Sequence, residues 1–168
     1  MNSSVHFSSK SNEWETPRYV FDFLNKQFNF ELDAAATESN KLCDNFYTQK
    51  DNSLLQNWSK HKSIYCNPPY GRLISKFIKK GYEANQLGSL VVFLIPARVD
   101  TKWWHDYCSK GEVWFIKGRL KFINKAFPSY REDGNYKISS APFPSAIVIF
   151  RAGNIPATKY IELKKAKP

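Results

Sequence analysis

The chain has 168 residues, enough to bury the core of one ordinary domain and too few for a catalytic domain with a large separate recognition domain. Its 25 Lys and Arg against 15 Asp and Glu leave a formal charge of +10, which favours a polyanionic partner because neutralised phosphates release counterions. Three widely spaced cysteines without a Cys-x-x-Cys, and no run of about 20 apolar residues, argue against a disulfide framework, structural zinc or a membrane span, and for a reduced, intracellular protein with no metal centre.

Residues 1–12 are polar and serine-rich, lack the apolar stretch of a signal peptide, and read as a flexible N-terminus. Thr16-Pro17 reads as a helix entry with Thr as the cap and Pro at the first helical position. Tyr19, Val20, Phe23, Leu24 and Phe28 then recur at helical spacing. Residues 28–35 (FNFELDAA) turn extended, with Phe28, Phe30 and Leu32 alternating before Asp33 and the small Ala34, Ala35 and Ala36. Residues 37–62, which include Asp51 and Trp58, are polar and irregular and are expected to wrap the sheet edge as loops. A short strand at 63–66 runs into Asn67-Pro68-Pro69-Tyr70-Gly71, which leaves it as a turn because consecutive prolines remove donors and fix φ.

Leu73, Ile74, Phe77, Ile78 and Tyr82 predict an amphipathic helix over 73–87. The continuous apolar run 89–95 (SLVVFLI) predicts a strand buried on both faces, ending at Pro96-Ala97-Arg98. A short helix over 101–110 carries Trp103, Trp104 and Tyr107, aromatics of core type. A strand at 112–116 follows, then Gly118-Arg119-Leu120-Lys121-Phe122. Residues 127–140 read as a loop, 145–150 as the last strand, and 153–168 as a basic C-terminal tail to a single domain spanning 13–152. Strands alternating with helices predict an α/β architecture, a mostly parallel central sheet flanked by helices, in which ligands collect at the carboxyl ends of the strands. Asp33, Asn67 and Arg98 all fall at such ends.

The chemistry concentrates in Asn67-Pro68-Pro69-Tyr70. An aromatic amine is a poor nucleophile while its lone pair is delocalised into the ring, and it becomes a better one when two acceptors grip its N–H bonds and the nitrogen pyramidalises. The Asn67 side-chain oxygen and the Pro68 carbonyl are two such acceptors held close together on a rigid turn. Tyr70 is a candidate to stack on the base, an interaction worth about 1–3 kcal/mol that helps offset base flipping. Arg72, Arg98, Arg119 and Lys121 are candidates for contacts to substrate phosphates, and Arg131 and Lys137 stand in the loop expected before the last strand.

The ordered segments Glu13-Trp14-Glu15-Thr16-Pro17, Leu32-Asp33-Ala34-Ala35-Ala36, Cys66-Asn67-Pro68-Pro69-Tyr70, Leu94-Ile95-Pro96-Ala97-Arg98, Gly118-Arg119-Leu120-Lys121-Phe122 and Pro142-Phe143-Pro144-Ser145 resemble the phage-type DNA N6-adenine methyltransferases, the small Dam-like family. The resemblance runs from Glu13 to Phe150. It implies a Rossmann-like fold, S-adenosylmethionine as methyl donor, the exocyclic amine of a flipped adenine in double-stranded DNA as acceptor, and a cytoplasmic setting in a bacterial host. Carried over by residue, Trp14, Thr16 and Pro17 would meet the methionine end of the cofactor. Asp33 would bind the methionine amino group or lie beside it, Ala34 would allow close approach, Asp51 would serve the adenosine part, and Asn67 would stand between cofactor and amine. Many methyltransferases have a glycine-rich loop where this chain has Asp33-Ala34-Ala35-Ala36. The same tetrapeptide also serves enzymes that methylate adenine in RNA or glutamine in proteins, and a catalytically silent DNA-binding module is the alternative of another class.

Overall fold

The computed structural model describes residues 14–122, 140–153 and 155–164. Seven strands form one sheet in the order β2-β1-β3-β4-β6-β5-β7. They are β1 (Leu32–Asp33), β2 (Asn45–Phe46), β3 (Ser63–Cys66), β4 (Leu90–Pro96), β5 (Glu112–Ile116), β6 (Ser145–Phe150) and β7 (Ala157–Ile161). All pairings are parallel except those of β6, which lies antiparallel between β4 and β5. The expected mostly parallel α/β sheet is therefore present. The chain leaves β1 toward β2 on one side and returns to β3 on the other, so the topology reverses between β1 and β3. In an open α/β sheet a crevice opens outside the carboxyl ends of the strands at such a reversal.

Alternation along the inner strands sorts side chains onto two covered faces. Ile64, Cys66, Val91, Phe93, Ile95, Val148 and Phe150 pack with Phe77 and Ile78 of helix α2 (Ile74–Gln86), and Trp58 joins them. Tyr65, Val92, Leu94, Ile147 and Ile149 pack with Val20, Phe21 and Leu24 of helix α1 (Arg18–Phe28). Helix α2 lies so close to the sheet that a Cβ on Gly81 would sit 2.4 Å from the Phe93 ring.

Four local expectations change. Thr16 does not cap α1: Pro17 is the cap residue, no side chain caps the helix, and the Thr16 hydroxyl is engaged elsewhere. Phe21 rather than Phe23 faces the core, Phe23 being 41% exposed, because the buried stripe runs Val20, Phe21, Leu24. The extended reading of 28–35 shrinks to Leu32–Asp33, because Asn29 adopts a left-handed conformation (φ 48°) that ends α1, and Asn25 Oδ1 accepts from Phe30 N at 2.8 Å. Finally, β6 is not the last strand. The basic segment expected as a tail supplies β7, which pairs with β5 at the sheet edge and is held there by Lys159 bonding to Glu112.

Candidate active site

A cleft of about 500 Å³ opens at the reversal between β1 and β3. Its walls come from the segment before α1 (Trp14, Thr16), the carboxyl end of β1 (Asp33, Ala34), the irregular segment after it (Asn40, Thr48, Gln49, Asn52, Ser53), and the end of β3 with its turn (Tyr65, Asn67, Pro68, Pro69). The dimensions are those of a site for a small organic ligand.

Asn67 is the centre of the polar network. Its Nδ2 donates to the Trp14 carbonyl at 2.5 Å and to Thr16 Oγ1 at 3.0 Å. Both N–H bonds are thereby engaged, and Oδ1 is buried without a hydrogen-bond partner. The orientation follows from chemistry, since a peptide carbonyl can only accept, so the nitrogen must face Trp14. A buried unpaired acceptor costs about 1–3 kcal/mol, which makes it a position awaiting a donor. Beside it, the carbonyl of Pro68, a buried residue, accepts no hydrogen bond from any described residue. The two acceptors expected of the motif are thus both present and both open. Gly71, at φ 148°, turns the chain out of the motif toward α2, a conformation that side chains disfavour.

Tyr70 departs from its expected role. It is only 5% exposed, packs edge-on with Phe143 (5.5 Å between centroids) and Phe122 (6.3 Å), and donates from its hydroxyl to the Leu94 carbonyl at 3.2 Å. It pins the proline turn onto β4 instead of presenting an open ring, because its apolar surface finds more contact in the core than in the cleft.

Asp33 is 3% exposed, and its carboxylate accepts from Leu42 N at 3.1 Å and Ala35 N at 3.4 Å. Burial pushes its pKa up to about 6, with the two backbone donors pulling the other way. No Lys or Arg among the described residues pairs with it. A buried carboxylate at a cleft wall without an ion-pair partner has the chemistry to receive a cation. Ala34, Ala35 and Ala36 continue that wall with little bulk.

Asp51 does not line the cleft. It is exposed, and one carboxylate oxygen accepts from both the backbone and the hydroxyl of Thr48 at 2.7 Å, contacts that hold its pKa below the ordinary value. Its effect on the cleft runs through Thr48 and Asn52, which do line it. Pro17 is buried behind the wall as the cap of α1.

Arg72, Arg98, Arg119 and Lys121 are exposed and lie outside the cleft. Arg72, Arg98 and Arg119 nevertheless follow the carboxyl ends of β3, β4 and β5, three strands that run the same way, so they share the cleft's edge of the sheet. Arg131 and Lys137 lie outside the described residues.

The sequence reading missed Tyr65. Its hydroxyl lies 2.7 Å from Thr16 Oγ1, and burial, ahead of every other influence, pushes its pKa well up, so it stays a neutral hydroxyl. Alternation within the apolar strand marks the residue as buried and carries no sign of a polar role.

With this geometry in hand, the relatives are informative. The family described as DNA N-6-adenine-methyltransferase (Dam) matches residues 3–164. A DNA N-6-adenine-methyltransferase of Escherichia phage T1 is 32% identical over 175 aligned positions, covering 92% of this chain and 70% of the phage protein. One of Haemophilus phage HP1 is 29% identical, covering 99% and 91% respectively. The chain that carries Asn67 and its cleft therefore belongs to the DNA N-6-adenine-methyltransferase (Dam) family.

Proposed function

We propose that this protein transfers a methyl group from S-adenosylmethionine to the exocyclic amine of an adenine flipped out of double-stranded DNA. The observation that carries this reading is the pair of open acceptors, Asn67 Oδ1 and the Pro68 carbonyl, at the end of β3. A planar NH2 offers two donors, and this pair can satisfy both while drawing the nitrogen lone pair out of conjugation. A hydrogen bond retained or strengthened as the amine pyramidalises favours the transition state over the ground state. Asn67 does not titrate, so the clamp needs no ionised base, and proton loss follows transfer.

The residues present fit the cofactor. The buried Asp33 carboxylate, without a cationic partner among the described residues, suits an ammonium group, the alanines after it leave room for close approach, and the polar wall at Thr48, Gln49 and Asn52 offers partners for hydroxyls and ring nitrogens. When bound, S-adenosylmethionine supplies a methyl group on positively charged sulfur, an electrophile strong enough to need no further activation. Trp14 and Thr16 line the same cleft while holding the Asn67 amide, so cofactor and amine would meet across one short segment.

Arg72, Arg98 and Arg119 on the cleft's edge of the sheet, with the exposed Lys121 close after Arg119 in the chain, would meet backbone phosphates, which position the substrate without reading its sequence. The charge of +10 supports a duplex partner.

Incubation with labelled S-adenosylmethionine and separate duplex DNA, RNA and protein acceptors tests the reading. Label on the N6 position of adenine in DNA is the expected result. Label confined to RNA or to a glutamine side chain would overturn the substrate assignment, and label nowhere would leave a binding module.

A further inference from the structure

We infer that Tyr65, which no motif marks, is a positioning residue that holds the Asn67 amide in its acceptor-outward orientation by acting through Thr16. The inference rests on the amine-clamp reading above.

The oxygen and nitrogen of an Asn amide are close in size, so packing alone cannot choose between an amide facing the cleft with its oxygen and one facing it with its nitrogen. The flipped amide would offer donors to an amine that is itself a donor. The choice is made by what the nitrogen finds behind it, here the Trp14 carbonyl at 2.5 Å and Thr16 Oγ1 at 3.0 Å. Both belong to a segment about 50 residues away in sequence, whose hold on β3 decides how well they stay in place.

Tyr65 supplies that hold. It lies on β3, two residues before Asn67, which opens the turn that follows the strand, and its hydroxyl meets the same Thr16 oxygen at 2.7 Å. Thr16 Oγ1 therefore bridges a side chain of β3 and the Asn67 amide just beyond it. Tyr65 is fully buried, and among the described residues Thr16 is the sole hydrogen-bond partner of its hydroxyl, so breaking the contact leaves that hydroxyl unpaired, which keeps the contact made. Its ring is fixed by an edge-on contact with Phe21 at 5.2 Å and a tilted one with Phe30 at 5.4 Å, which anchors the hydroxyl from the α1 side of the sheet. Without that bond Thr16 Oγ1 loses its tie to β3, and the Asn67 amide is held in place by the Trp14 carbonyl alone.

Tyr65→Phe removes one oxygen and leaves the ring. Its expected effect is a loss of about tenfold in kcat, with KM for DNA and cofactor affinity within about twofold of the parent. Because a purely structural role would not separate these quantities, the split is the informative result. A second measurement needs no ligand. The Asn67 side-chain NH2, assigned by the signal lost in Asn67→Asp, should exchange with solvent slowly in the parent and at least about tenfold faster in Tyr65→Phe. Thr16→Val should reproduce that faster exchange and Thr16→Ser should restore it, and this pair carries the test if Tyr65→Phe fails to fold. Unchanged exchange, or a kcat loss matched by an equal loss of cofactor affinity, would overturn the inference. An active Asn67→Ala would instead overturn the clamp reading, whereas an inactive Asn67→Ala beside a fully active Tyr65→Phe would overturn this inference alone.

Discussion

Two buried polar groups in this molecule are treated in opposite ways. Glu112, on β5, is 3% exposed and fully partnered: Oε1 accepts from the Trp114 indole at 2.6 Å and from Lys159 of β7 at 2.9 Å, and Oε2 pairs with Arg151. Burial pushes its pKa up, but those three partners together more than reverse the effect and hold it below the ordinary value. Asn67, just beyond the carboxyl end of β3, has both donors satisfied and its acceptor left without a partner. The difference separates a group that fastens an edge strand from one whose acceptor is left unmade, which is costly for a buried atom.

The largest effect should come from Asn67→Ala. Loss of one clamp acceptor is expected to lower kcat by about 10²- to 10³-fold, by analogy with removal of one preorganised hydrogen bond at a reacting centre, with cofactor affinity and Tm little changed. Steady-state kinetics with calorimetric titration checks this, and a variant that turns over at the parental rate breaks the comparison at its functional end.

Glu112→Ala should behave in the opposite sense. It leaves the Trp114 indole unpaired and unfastens β7, at a cost of about 2 kcal/mol, or roughly 5 °C in Tm, while kcat holds at a temperature where the protein is folded. Lys159 and Arg151 are 57% and 46% exposed and return to water, which keeps the loss moderate.

Asp33 sharpens the comparison through pH. Its folded-state pKa of about 6 lies above the ordinary 3.8, so the folded protein without ligand takes up this proton more readily than the unfolded chain. The group's contribution to stability is therefore fully present below about pH 4 and is lost as pH rises through about 6. Binding of a ligand ammonium requires the carboxylate, so affinity for S-adenosylmethionine should fall about fivefold between pH 6 and pH 5. Titrations across that range, with Asp33→Asn as a variant lacking the step, would show it, and a flat profile would remove Asp33 from the cation site.

The smallest effects belong to the exposed basic residues. Arg119→Ala or Lys121→Ala should weaken DNA binding a few-fold, equally for all sequences, and reduce the salt slope of binding by about one each. A change in sequence preference would mean contact with bases rather than phosphates.

The strands at 63–66, 89–95, 112–116 and 145–150 and the helix over 73–87 were legible in the sequence, because continuous apolar runs and 3.6-residue periodicity report burial directly. The short Leu32–Asp33 strand and the edge strand β7 were not, since two residues carry no period and the β7 pattern is almost wholly exposed. The place of Asn67, Pro68 and Asp33 at strand ends on the cleft wall was readable because the signals are local: an amide, a rigid turn and a carboxylate. Tyr70 was misjudged because an aromatic beside a polar motif reads the same whether its ring faces a cleft or the core. By itself, then, the sequence determined the α/β order, the positive charge and the presence of two acceptors on a rigid turn. Only the tertiary structure decided which way the Asn67 amide points, because that depends on Trp14, Thr16 and Tyr65, groups far apart in sequence that meet at one oxygen.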